Sequence, residues 1–162
     1  MSSNPFNHLR ADGTAHMVDV TGKQPTVREA HAQADVTCSP TVMRALREGT
    51  VPKGDVLAVA RIAGIQAAKH TPDLLPLSHV IGLHGCEVDV ELLDDRVHIT
   101  AKVRTADRTG VEMEAITAAT VAGLAVIDMV KGVDRSAALQ SACVTYKSGG
   151  RSGEWHRPGY ES

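Results

Sequence analysis

Aromatic side chains are nearly missing from this chain of 162 residues: Phe6, Tyr146, Trp155 and Tyr160 make up 2% of it. That leaves few stacking platforms for single-stranded nucleic acid. An excess of one charge is missing too, since the net charge is only -2, and a basic footprint for a nucleic-acid partner is absent with it. Cysteine is scarce: Cys38, Cys86 and Cys143 are odd in number, scattered and without CxxC spacing, so they read as reduced core residues. No basic start followed by an apolar run occurs, so secretion is not signalled and a cytoplasmic location is expected. There is no internal repeat, and low complexity is confined to the Gly-rich end.

What is present fits a globular protein, with 43% hydrophobic and 22% charged residues and a length suited to one domain. The expected division is a flexible segment over residues 1–15, a single catalytic domain over 16–148 and a Gly-rich tail over 149–162. HMVDV at 16–20 reads as a short strand closed by Thr21 and Gly22. TVREAHAQADVTC at 26–38 mixes helix-favouring Ala and Glu with a partial strand period, and is taken as a strand. Ser39 as N-cap, Pro40 behind it and Gly49 beyond predict a short helix over 40–48. Val56, Val59, Ala60, Ala63 and Ala67 recur at helical spacing over 55–69, and their small size predicts close packing. TPDLLPLSHV, bracketed by Pro72 and Pro76, predicts a loop holding one turn of helix. Cys86, Val88, Val90 and Leu92, then Val97, Ile99, Ala101 and Val103, alternate with charged residues, which predicts a hairpin whose outer face sets an acidic strand against a basic one. A long helix over 110–132 and a strand over 138–146 complete the pattern. The order is strand, helix, strand, strand, helix, strand: an α+β, ferredoxin-like split βαβ fold, its antiparallel sheet covered by helices on one face.

The central stretch, GVEMEAITAATVAGLAVIDMVKG, is long enough for a core helix and carries too many polar groups to be read as a membrane span. Glu112 and Glu114 fall in its first turn, where carboxylates complement the positive end of the dipole, so helix stabilisation alone would account for them. Asp128 is different, because it lies between Ile127 and Met129 near the negative end, where a carboxylate is disfavoured. Lys131, three residues on, shares its face and can compensate it. Glu114 and Asp128 would stand roughly 21 Å apart along the axis, too far to act on the same atoms. Two pockets, or one shared between chains, would follow.

Lys53 in PKGD precedes a helix start, where the dipole opposes its charge; turned inward it would serve as a general acid or base, and otherwise it is a surface lysine. His79 and His84 match none of the zinc spacings, so no metal and no cofactor is expected. His79 fits better as a held hydrogen-bond donor to an anionic ligand, or as a satisfied loop histidine. KSGGRSG at 147–153 lacks the phosphate-loop spacing and has no helix after it. Arg28, Lys69 and Lys147 form a scattered basic set that sequence reasoning cannot gather into one pocket.

These residues together carry a resemblance. HMVDV, TVREA, KGDV, ARIAGIQAAK, LPLSH, TGVEMEA, IDMVK and KSGGRSG, in that order across residues 15–153, resemble the cyclic pyranopterin monophosphate synthases, the protein C family of molybdenum cofactor biosynthesis. The resemblance implies a lyase that converts a cyclic dihydro-GTP intermediate, 3',8-cyclo-7,8-dihydroguanosine 5'-triphosphate, into cyclic pyranopterin monophosphate with release of pyrophosphate. It implies a ferredoxin-like fold and a homo-oligomer, a hexamer of three dimers with each active site at a dimer interface. By motif, Asp128 is the catalytic acid or base, with Lys53 and Lys131 as functional lysines. Leu77, Ser78 and His79, with Met113, Glu114 and Glu112, fall at substrate-binding positions, and Arg28, Lys69 and Lys147 where the family gathers charge for the triphosphate. Two positions depart from the family pattern: Ser78 stands where Cys is usual, keeping a hydrogen-bonding group of similar size, and Val80 stands where Pro is common. A contrasting reading is a non-catalytic, nucleotide-binding regulatory module of the same fold. The Lys53, Asp128 and Lys131 set argues against it, because a phosphate binder needs cations but has little use for that carboxylate.

Overall fold

A computed structural model describes residues 9–10 and 12–160. Most of the flexible segment expected over 1–15 lies outside the described residues. The chain runs β1 (Thr26–Thr37), α1 (Pro40–Glu48), α2 (Val56–Lys69), α3 (Thr71–Leu74), β2 (Gly85–Leu92), β3 (Arg96–Asp107), α4 (Glu112–Val130), β4 (Ala138–Ser148) and β5 (Trp155–His156).

The strands form one antiparallel sheet of order β2-β3-β1-β4-β5. β3 is inserted between β1 and β2, which is the split βαβ arrangement expected. Strand alternation decides the two faces. Ala30, Ala32, Ala34 and Val36 of β1 face inward with Val97, Ile99, Ala101 and Val103 of β3, all essentially inaccessible. Their neighbours Glu29, His31 and Asp35 face out. There Glu29 meets Lys102 and Arg104 at 3.6 and 3.7 Å, Arg104 meets Glu87 at 3.0 Å, and His98 Nδ1 donates to Asp35 at 2.8 Å. The outer face thus pairs opposite charges, as the hairpin sequence predicts.

Helix ends follow local chemistry. Ser39 Oγ accepts from Val42 N at 3.3 Å and Gly49 closes α1 at φ 66°. Asp55 caps α2 by accepting from Ala58 N at 3.0 Å. The alanine-rich inner face of β1 exists because α4 lies close: a Cβ on Gly123 would stand 3.1 Å from both Val36 Cγ2 and Leu139 Cδ1. By length and composition α4 could cross a membrane, yet its Ala115, Ala118, Ala119, Ala122 and Val126 are wholly buried against the sheet and α2, so it is the core helix. α2 crosses α4 at Gly64, where a Cβ would come within 2.9 Å of the Ala118 carbonyl oxygen. Since Lys53, just before α2, touches Asp128 near the end of α4, the two helices run antiparallel.

Two elements differ from the sequence reading. Residues 16–20 make no ladder, and Val18 spends its carbonyl on His79 Nε2 at 2.7 Å. Alternating apolar residues mimic a strand, but the segment is held by the LPLSH loop through His79 and not by a sheet edge. β5 itself lies inside the Gly-rich tail, pairing Trp155 and His156 with Lys147 and Tyr146. A two-residue strand has no period to read.

Candidate active site

At the N-terminal end of α4 a cleft of about 390 Å³ is lined by Leu77, Ser78 and His79 from one side and by Thr109, Gly110, Glu112, Met113 and Glu114 from the other. The loop carrying LPLSH is held by a turn, Ser78 N to Leu75 O at 3.0 Å, and by the bond from His79 Nε2 to Val18 O. A carbonyl can only accept, so Nε2 carries hydrogen and Nδ1 is the ring atom left for a ligand. That bond also tethers the loop just ahead of Val80, which is 88% exposed. Glu114 is 3% exposed, and burial, reinforced by the nearby Glu112 carboxylate, pushes its carboxyl up to about 7. A carboxyl poised there can donate or accept a hydrogen bond near neutrality.

Beside it opens a second cleft of about 730 Å³, lined by Lys23, Arg28, Gly150, Arg151 and Ser152, with no acidic residue in its wall among the described residues. Arg28 builds more than it offers. Its Nε donates to Asp107 O at 3.0 Å and its Nη2 to Arg108 O at 3.2 Å, tying β1 to the loop that leads into α4. The turn after β4 passes so close that a Cβ on Gly149, φ 90°, would strike the Val27 carbonyl oxygen, and only glycine fits. Lys147 stands at the border, bonded to Ser152 Oγ and 3.9 Å from Glu112 Oε1.

The C-terminal end of α4 holds a different arrangement. Lys131 Nζ lies 2.6 Å from Asp128 Oδ1, and Lys53 Nζ lies 2.9 Å from Asp128 Oδ2 and 2.8 Å from the Asp128 carbonyl oxygen. Lys53 therefore caps an open carbonyl of the helix while it holds the side chain. The Gly54 turn, φ 105°, followed by the Asp55 cap, aims it there. Asp128 is exposed, not sunk among its apolar neighbours. Hydrogen bonds and charge from Lys131 and then Lys53 hold its carboxyl at about 2, far on the ionised side of neutrality.

The structure thus gathers Asp128, Lys53 and Lys131 in one place, and Leu77, Ser78, His79, Glu112, Met113 and Glu114 in another. Arg28 and Lys147 share the basic cleft region, whereas Lys69 belongs to the last turn of α2 and lines neither cleft. Lys23, Thr109 and Arg151 line the clefts and were not singled out by sequence reasoning. Each is a lone polar residue in a loop, and no spacing marks it. Among the described residues no three His, Cys, Asp or Glu side chains converge as a metal cage.

Comparison with known proteins identifies the family. The MoaC family model matches residues 17–150. A Streptomyces coelicolor protein named cyclic pyranopterin monophosphate synthase is 54% identical over 152 residues, 94% of this chain and 89% of that protein. Proteins of the same name from Nocardioides sp. and Geobacter metallireducens are 52% and 51% identical, over 98% and 94% of this chain and 100% and 96% of their own lengths. The match spans both ends of α4 and both clefts, and this chain belongs to the MoaC family.

Proposed function

We propose that the protein is a cyclic pyranopterin monophosphate synthase, a lyase that converts the cyclic dihydro-GTP intermediate of molybdenum cofactor biosynthesis into cyclic pyranopterin monophosphate and releases pyrophosphate. The observation that carries this reading is the Asp128 carboxylate clamped between Lys53 and Lys131 at 2.9 and 2.6 Å. Turning a triphosphate into a cyclic monophosphate breaks the bond between its first and second phosphates and joins the first to a substrate oxygen. A proton must leave that oxygen, and cations must meet the charge on the departing pyrophosphate. Lys53 and Lys131 are the groups suited to carry protons. Asp128, ionised near neutrality, orients them.

In this reading Leu77, Ser78, His79, Glu112, Met113 and Glu114 receive the ring, while Arg28, Lys69 and Lys147 supply charge for the triphosphate. Helix α4 separates the two ends by roughly 21 Å. A single chain cannot bring both to one reacting centre, so the protein works as a homo-oligomer, a hexamer of three dimers, with the Asp128 end of one chain completing the cleft of another. Support comes from exposed apolar side chains on the helical layer and the cleft rim, Ile62 at 67%, Leu124 at 51% and Met113 at 46%. The partner is a small molecule, without nucleic acid or membrane, in the cytoplasm.

Incubating the purified protein with the cyclic dihydro-GTP intermediate tests this directly. Pyrophosphate and the cyclic monophosphate are expected in equal amounts. Tight binding with no pyrophosphate released would sink the assignment.

A further inference from the structure

The match to the family model ends at residue 150, and the chain after it folds back on the sheet. The turn that follows β4 is built on glycine, with Gly149, Gly150 and Gly153 all at positive φ (90°, 70° and 65°). Glycine loses the most conformational freedom on ordering, so such a segment keeps one shape only if both of its ends are held. The near end is β4. The far end is Trp155 and His156, which pair back onto Lys147 and Tyr146 as β5. Between them Gly153 N donates to Gly150 O at 3.3 Å, and Arg151 and Ser152 reach the wall of the 730 Å³ cleft.

A strand of two residues would not hold by itself, and further contacts fasten it. Arg157 donates twice to β4, from its backbone N to Thr145 O at 2.8 Å and from Nε to Val144 O at 2.6 Å, with its guanidinium 5.5 Å from the centre of the Trp155 ring. On the outer face the Tyr146 ring meets His31 of β1 and His156 of β5, with centroids 4.7 and 4.8 Å away. Each histidine in turn meets a carboxylate, Glu29 at 2.8 Å and Glu154 at 2.7 Å. Pro158 and Gly159 (φ 82°) then turn the chain, Tyr160 N donating to Arg157 O at 3.2 Å, and bring the Tyr160 hydroxyl to Cys143. Trp155, His156, Arg157 and Tyr160 all lie outside the wall of the basic cleft.

We propose that residues 155–160 form a clasp that positions the glycine turn for anion binding, with Arg157 as a positioning residue that acts through Arg151 and Ser152 and does not touch the ligand. This rests on the lyase reading for the identity of the substrate. It adds that the basic cleft is completed by a segment downstream of the matched region, and that affinity for the polyphosphate, not the rate of the chemistry, depends on that segment being docked.

The test uses Arg157→Met, Arg151→Gln and the two combined, in the full chain. Trp155 is the one tryptophan, so its emission and acrylamide quenching report whether the clasp is docked, while thermal melting reports whether the sheet is folded. Inorganic tripolyphosphate binding is measured by calorimetry, and pyrophosphate release from the cyclic dihydro-GTP intermediate by steady-state kinetics. Arg157→Met should free Trp155 and raise the tripolyphosphate Kd and KM about fivefold or more, with kcat changed less than about twofold. In that background Arg151→Gln should cost less than about half the factor it costs in the parent, because a cation no longer held in place has less to lose. Should Arg157→Met melt early, His156→Pro loosens β5 with Arg157 left in place, and the same rise in Kd and KM is expected. A docked Trp155 in Arg157→Met, a freed Trp155 with unchanged Kd and KM, or simple additivity of the two substitutions would each overturn the proposal, the last by reducing Arg157 to a distant charge. If the unaltered protein releases no pyrophosphate, the lyase reading fails, while the tripolyphosphate comparison still decides whether the clasp positions the cleft.

Discussion

The two ends of α4 set one carboxyl against another. Glu114 sits in the first turn, where the helix dipole favours ionisation, yet its carboxyl is pushed up to about 7. Asp128 sits near the last turn, where the dipole opposes ionisation, yet its carboxyl is held at about 2. At both ends the dipole loses. Burial removes Glu114 from the water that would stabilise its charge, and Glu112 beside it adds repulsion. Asp128 stays in water and has two ammonium groups within 2.9 Å. A dipole worth a few tenths to one kcal/mol in a typical setting is outweighed by desolvation or by direct ion pairs. The helix therefore carries a carboxyl poised near neutrality at one end and a carboxyl held ionised at the other, opposite to what position along the axis predicts.

Cutting the charged end should have the largest effect. Lys53→Met or Lys131→Met should lower kcat by on the order of a hundred- to ten-thousand-fold, the range of a lost general acid or base. Asp128→Asn should fold, bind substrate and lose turnover on a comparable scale, and the kcat profile against pH should change, because the lysines it holds lose their shared counter-charge. Near-normal turnover with an unchanged profile would reduce Asp128 to a structural counter-ion. Asp128 also contributes stability present above its ordinary 3.8 and lost as pH falls toward about 2, so acid melting of Asp128→Asn should be flatter across that window.

Whether the two ends meet across chains is checked by mixing. A chain inactivated by Asp128→Ala and a chain inactivated at Lys69 should recover activity when co-assembled. No recovery in well-mixed hybrids would count against a site shared in that way.

The Glu114 end should respond more gently. The Glu114 carboxyl binds its proton more tightly in the folded chain than in the unfolded one, where 4.5 applies, so it costs stability as pH rises from about 4.5 through about 7. Glu114→Gln should remove that cost, raising the melting temperature relative to the parent above pH 7 and leaving it nearly unchanged below about 4.5. Substrate KM should at the same time lose any inflection near 7. Equal melting shifts at both extremes would place the raised value elsewhere.

The smallest effect should come from the crossing that holds both ends in place. In Gly64→Ala the new methyl would stand 2.9 Å from Ala118 O and 3.2 Å from Ala122 Cβ. Overpacking of this kind typically costs about 1–3 kcal/mol. A lower melting temperature with kcat reduced only modestly is expected, whereas stabilisation would show that α2 and α4 can part without cost.

Local signals in the sequence specified much of the fold. Ser39, Pro40 and Gly49 mark the ends of α1, alternating residues mark β2 and β3, and one proline-free run marks α4. Such signals suffice wherever neighbours in the chain decide the outcome, through caps, turn geometry and face periodicity. The family motifs likewise named Asp128, Lys53, Lys131 and the LPLSH residues. Sequence could not say that Asp128 is exposed, because its apolar neighbours Ile127 and Met129 point elsewhere on the helix and only packing shows which face is covered. Nor could it separate Arg28, whose guanidinium is spent on the carbonyls of Asp107 and Arg108, from Lys23, which lines both clefts. The role of a charged side chain depends on what solvates it and what opposes it, and those neighbours come from distant parts of the chain. For that reason tertiary structure, and not sequence position, decided the ionisation of Glu114 and Asp128 and the division of labour among the basic residues.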